Sequence, residues 1–172
     1  QSLHPHDLII PVLKSNAYGH GLKEISQILN DTHIEMLAVD SFPEYQVVKK
    51  YAKKKILIIG ETDVRNYKYF NRKRASFAVY NSSTIEGLIA YRKPCNIHLF
   101  LNTGMNREGI QKEELDEILA MLQAAPWVTV EGIMSHFADA DNPDPSAMQL
   151  QIENFKLMHE KILEYGFESK YR

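Results

Sequence analysis

Short apolar runs, rich in Val, Ile and Leu and not alternating with polar residues, recur along the chain: Asp7 to Leu13, Met36 to Val39, Lys55 to Ile59, Phe77 to Tyr80, Ile97 to Leu101 and Val128 to Met134. Brief continuous runs of this kind are how strands buried on both faces read. Between them, apolar residues fall at helical spacing: Leu22, Ile25, Ile28 and Leu29; Tyr45, Val48 and Tyr51; Ile85, Leu88 and Ile89; Leu115, Ile118, Leu119 and Leu122. These predict amphipathic helices laid on a sheet. Asn81-Ser82-Ser83-Thr84, with Glu86 behind it, supplies N-cap candidates for the third of them, and Pro126 ends a helix over Glu113 to Ala125. A longer helix follows Pro145, with Leu150, Phe155, Met158, Ile162 and Leu163 on its apolar positions and Gly166 at its C-cap. Val64 to Lys73 is too aromatic and basic to assign.

Six strands, starting at about residues 8, 36, 55, 76, 96 and 128, each followed by a helix or crossover, predict a parallel α/β sheet. The pattern fits either an open doubly wound sheet or part of a (β/α)8 barrel. A complete barrel takes about 250 residues, so six units in 172 residues would be a partial TIM-type barrel with about six of eight βα units. No linker and no internal repeat stands out.

Composition narrows the class. A net charge of −2, from 20 Lys and Arg against 22 Asp and Glu, argues against a nucleic-acid binder held by charge. No apolar run approaches the roughly 18 residues of a membrane span. The single Cys95 forms no internal disulfide, and Gln1 to His6 resembles no signal segment, so the expected compartment is the cytoplasm. His4 and His6 read as surface residues.

In either architecture, chemistry gathers where strands end and helices begin. Lys14 stands at the first such point, in Val12-Leu13-Lys14-Ser15-Asn16-Ala17-Tyr18-Gly19-His20-Gly21. A lysine closing a buried strand is either an amine nucleophile toward carbonyls or a rim residue reaching solvent. Gly19 and Gly21 permit close backbone approach to a ligand, and Tyr18 offers a hydroxyl within reach of a phosphate. The dinucleotide fingerprint fails because position 24 is Glu24, and there is no Walker A sequence. Asn102-Thr103-Gly104-Met105-Asn106-Arg107-Glu108-Gly109 follows the fifth run, and Arg107 is either an anion clamp or a surface arginine. His136 ends the sixth run, where a lone histidine is as readily structural as functional. Asp139, Asp141 and Asp144 lack calcium-loop spacing, and no zinc spacing is present, so no metal is expected.

The first motif resembles the pyridoxal phosphate attachment sequence V-K-A-N-A-Y-G-H-G of bacterial alanine racemases. Asn102 to Gly109 resembles that family's D-T-G-M-G-R-L-G, and Ser135-His136-Phe137-Ala138 resembles its T-H-F-A segment. The resemblance covers essentially the whole chain. It implies an N-terminal barrel domain in which Lys14 holds pyridoxal 5'-phosphate covalently and acts as one of two bases. Tyr18 would contact the cofactor phosphate, His136 would pack on the pyridine ring, and Arg107 would hold the phenolic oxygen. Arg107 and Met105 would meet the substrate.

The departures concern Arg107. Phe100 stands where the family carries a lysine, Asn102 replaces its aspartate and Asn106 its second glycine. Length is the larger departure, because family members add two barrel strands and a C-terminal β-domain that supplies the second base. The resemblance therefore implies an incomplete barrel domain over residues 1–172, inactive alone, whose exposed edges favour association. The full-length protein would be a homodimer that interconverts L- and D-alanine, the D-isomer serving peptidoglycan. Alternatives are a racemase for serine or lysine, a non-catalytic pyridoxal phosphate carrier, a Schiff-base aldolase and a structural scaffold. The carrier lacks the Asn-Ala-Tyr-Gly-His-Gly extension, so Tyr18 and His20 favour the racemase.

Overall fold

The computed structural model describes residues 8–172. The expected start of the first strand at Asp7 and the surface reading of His4 and His6 lie outside the described residues. The strands are β1 (Met36–Val39), β2 (Lys55–Ile58), β3 (Ala75–Val79), β4 (Cys95–Phe100) and β5 (Val128–Met134). They form a five-stranded sheet in the order β1-β2-β3-β4-β5. The helical segments are α1 (Lys14–Tyr18), α2 (Leu22–Ile28), α3 (Phe42–Tyr51), α4 (Ser82–Tyr91), α5 (Leu115–Gln123) and α6 (Ser146–Glu164). The chain divides into two compact units, residues 1–62 with 73–77 and residues 63–72 with 78–172.

In the first unit β1 and β2 pair in parallel, Met36 opposite Lys55 and Val39 opposite Ile58, and β2 continues onto β3. β1 is buried at every residue, as its unbroken apolar run requires. Tyr45 and Val48 of α3 are fully buried, whereas Ile28, expected on the apolar stripe of α2, is 63% exposed. The guanidinium of Arg74 donates to the carbonyls of Ala52 (2.6 Å), Lys54 (2.9 Å) and Lys49 (3.3 Å), closing the end of α3 onto the strand that follows.

In the second unit β4 and β5 run parallel, with a bulge at Ile97 and His98. Leu115, Ile118, Leu119 and Leu122 bury one face of α5 as their spacing predicts. The Asn81 side chain caps α4 by accepting from the Thr84 amide at 3.0 Å. Phe100, Tyr80, Ala78 and Met134 pack together, the two rings 4.9 Å apart.

Three further expectations change, and the stretch left open gains a structure. The first apolar run forms no regular strand among the described residues: Val12 makes one parallel bridge with Ala38, and Leu13 donates to the Ala38 carbonyl at 2.7 Å. Pro11 brings no amide, so it accepts from Ala38 at 2.8 Å but extends no ladder. The unassigned stretch becomes a 3-10 helix, Val64–Tyr69, capped by Asp63, which the Arg65 side chain holds down at a pKa of about 2. The helix expected over Glu113 to Ala125 is a 3-10 turn, Lys112–Glu114, running into α5. A Gln111–Glu114 capping box starts it. In α6, Leu150 and Leu163 are exposed, and the buried positions are Gln151, Met158 and Ile162. α6 ends as expected at Gly166, in the left-handed region at φ 83°. The Gly166 amide donates to Leu163 and the Phe167 amide to Ile162, a Schellman closure.

Candidate cofactor-binding site

Lys14 opens α1 directly after the buried Leu13, and its own side chain is half-buried. The four residues that follow, Ser15, Asn16, Ala17 and Tyr18, have φ between 52° and 55°, so α1 is a single left-handed turn. L-residues pay roughly 1–2 kcal/mol each in that region, and a run of four persists only where its surroundings over-determine it. Three constraints do so. The Glu44 carboxylate accepts from the Ser15 amide through one oxygen and from the Asp40 amide through the other, both at 2.8 Å. The Asn16 side chain accepts from the Leu22 amide at 2.9 Å, and the Asn16 carbonyl accepts from Gly19 and Gly21. Ala17 is buried beneath the turn, its amide donating to the Leu13 carbonyl. Tyr18 points outward, 61% exposed. Gly19 (φ 89°) and Gly21 (φ 92°) carry the chain into α2, and a Cβ on Gly19 would meet nothing.

Met105 and Arg107 lie on a loop of the second unit that leaves β4 and returns to Ile110, whose amide donates to Phe100 at 2.8 Å. Asn102 organises the loop. Its Oδ1 accepts from the amides of Gly104 and Asn106, and its Nδ2 donates to Asn106 Oδ1 and Gln111 Oε1. Asn106 has φ 56°, a left-handed position that asparagine tolerates best among residues with a side chain. At Gly109 (φ 115°) a Cβ would come within 2.9 Å of the Asn102 amide nitrogen and of the Phe100 ring. Arg107 is exposed and directs Nε and Nη2 at Glu108 Oε1, at 3.2 and 2.7 Å, leaving Nη1 for another acceptor. Met105 is half-buried.

His136 follows β5 and is exposed. Its backbone is tied to the loop after β4. Gln151 of α6 donates through Nε2 to the His136 carbonyl (2.9 Å) and to Thr103 Oγ1 (3.1 Å), and through Oε1 accepts from the Ala138 amide (2.9 Å). The Thr103 and Ser135 hydroxyls are 2.7 Å apart, and Asn154 donates to the Thr103 carbonyl at 2.9 Å.

The structure thus places Lys14 with Tyr18 on one turn, Met105 with Arg107 on one loop, and His136 on a second loop bound to the first. Taken unit by unit and by residue type, Lys14 and Tyr18 of the first unit and Arg107 and His136 of the second each suit a part of pyridoxal phosphate. The primary amine suits an aldehyde, the phenol and glycine-bounded turn a phosphate, the guanidinium a phenolate, and the imidazole a ring face. Among the described residues no cluster of His, Cys, Asp or Glu could hold a metal ion. Reading the sequence missed Glu44 and Gln151. The Ser41-Phe42-Pro43-Glu44 capping pattern was a signal for the first, and nothing in the sequence set Gln151 apart from Gln149 and Asn154 on the same helix.

Residues 1–172 match the family described as alanine racemase, N-terminal domain, and the chain belongs to that family. It is 31% identical over 153 residues to the alanine racemase of Vesicomyosocius okutanii subsp. Calyptogena okutanii, covering 88% of this chain and 43% of that protein. It is 30% identical over 145 residues to a serine/alanine racemase of Enterococcus gallinarum, covering 84% of this chain and 20% of the relative. The solved alanine racemase of Clostridium difficile 630 superposes with a TM-score of 0.88 at 26% identity, over 98% of this chain and 48% of that one. A structure of the same racemase is a complex with cycloserine. The parallel sheet with alternating helices matches the barrel domain of these racemases, consistent with a partial TIM-type barrel. The chain spans less than half the length of each of these relatives.

Proposed function

We propose that this chain is the cofactor-binding part of a pyridoxal phosphate-dependent racemase that interconverts L- and D-alanine. What carries the reading is Lys14, half-buried at the head of a left-handed turn that no ordinary loop needs, in a chain of the alanine racemase family. The cofactor supplies an electron sink that lets a proton leave the substrate α-carbon. Lys14 Nζ would hold the cofactor at rest and, as the free amine once substrate has taken its place, would take or return the α-proton on one face. Tyr18 Oη donates to the phosphate. Arg107 Nη1 holds an anionic oxygen of cofactor or substrate, Met105 borders the substrate, and the His136 ring packs on the pyridine. Inversion needs a second proton-transfer group on the opposite face, and this reading assigns it outside these residues, in a homodimeric cytoplasmic enzyme that provides D-alanine for peptidoglycan. The name of the Enterococcus gallinarum relative supports serine as a second substrate.

The test is to add pyridoxal phosphate, reduce with borohydride and map the modified peptide by mass spectrometry. Label is expected on Lys14 and lost in Lys14→Ala. Label scattered equally over surface lysines would remove Lys14 from the role.

A further inference from the structure

Gln151 is 4% exposed on a helix whose preceding five residues, Ser146 to Leu150, are exposed or half-buried. Both of its N–H groups and its carbonyl oxygen are engaged, and none of the three partners lies on α6. The bonds have a direction. Ser135 Oγ donates to the Leu101 carbonyl at 2.8 Å, so the hydrogen between the two hydroxyls belongs to Thr103. Thr103 Oγ1 is then free to accept, and Gln151 Nε2 donates to it. One chain of donors runs from Gln151 through Thr103 and Ser135 to the backbone at the end of β4. The other N–H and the oxygen of Gln151 hold the peptide planes on either side of Phe137, through the His136 carbonyl and the Ala138 amide. The reversed amide would set an oxygen against the His136 carbonyl, so only one orientation satisfies all three partners.

We infer that Gln151 is a positioning residue: its side-chain amide locks the loop that carries His136 to the loop that carries Arg107. It touches neither reacting group, and acts by fixing the backbone from which His136 projects. Its consequence for the cofactor rests on the reading above, whereas the lock itself does not.

Gln151→Met preserves length and volume and deletes every bond, so it separates locking from space filling. Amide hydrogen exchange is expected to rise about tenfold in residues 101–106, which lose one bond of ordinary strength, and by more in 135–138, which lose two. Exchange in β1 and α3 should stay unchanged. With pyridoxal phosphate added, the variant should bind it more weakly than the parent chain and shift its absorption maximum. Unchanged exchange in either loop would overturn the lock, and loosened loops with an unmoved cofactor spectrum would overturn its positioning role. If the parent chain takes no label at Lys14, the cofactor reading falls while the exchange data still decide the lock. Should Gln151→Met fail to fold, Thr103→Val removes the hydroxyl to which Gln151 donates, the next member of the donor chain. It should loosen 101–106 while the Ala138 amide stays protected, and protection kept in both segments would overturn the lock.

Discussion

At Gly132 of β5 a Cβ would lie 2.3 Å from His98 Nδ1 and 2.5 Å from Cε1, and the imidazole has nowhere to go. It is 2% exposed, sits in the bulge between β4 and β5, and stacks on Tyr171 at 5.7 Å. Gly132→Ala should therefore cost about 2–3 kcal/mol, read as a lowered urea midpoint with an unchanged slope. Cys95 is the converse case, a reactive group made inert. Burial pushes its thiol up to about 11 against an ordinary 9.0, with Arg72 opposing the shift. Native protein at pH 8 should react with iodoacetamide far more slowly than urea-unfolded protein, and rapid native labelling would refute the burial. The sign for stability follows. Unfolded thiol ionises first, so this contribution is complete below about pH 9 and fades as pH rises toward 11. Single residues were also where reading the sequence went least far. Lys14, Tyr18, Arg107 and His136 stood out in the sequence because they follow apolar runs inside motifs that resemble those of a known family, and the roles proposed for them rest on that resemblance. Gln151 and Glu44 were not, because they act on backbone that only the fold brings to them.

Elements were legible where one force dominates. Five of the six apolar runs became strands, since a sequence buried on both faces has few alternatives. Among the described residues the first makes one bridge, because Pro11 interrupts the donors, a local effect that hydrophobicity does not register. α6 was predicted at the right place, with Met158 and Ile162 buried as expected. Leu150 and Leu163 extended the apparent stripe, whereas polar partners at the end of β4 drew Gln151 inward. Its C-terminus offers a clean measurement. A Cβ on Gly166 would meet nothing, so Gly166→Ala is expected to cost about 1 kcal/mol from the left-handed φ alone. A loss well above that in a denaturant titration would mean that the Schellman turn supports more than its own helix.

For the molecule as a whole, binding and turnover should come apart. If Lys14 is the only base these residues contribute, the 172-residue chain should take up pyridoxal phosphate yet give no racemisation above background in a coupled L- to D-alanine assay. Turnover near that of intact racemases would require a second base among the residues described here. The left-handed turn beside Lys14 has one more consequence, and it concerns chirality. Ser15 is exposed, with φ 55° and ψ 49°, which is mirror-image helix and the natural basin of a D-amino acid. A semisynthetic chain carrying D-serine at position 15 should gain about 1 kcal/mol of stability where almost any other inverted centre would lose it. A protein proposed to exchange the hands of an amino acid would itself be steadied by one residue of the opposite hand.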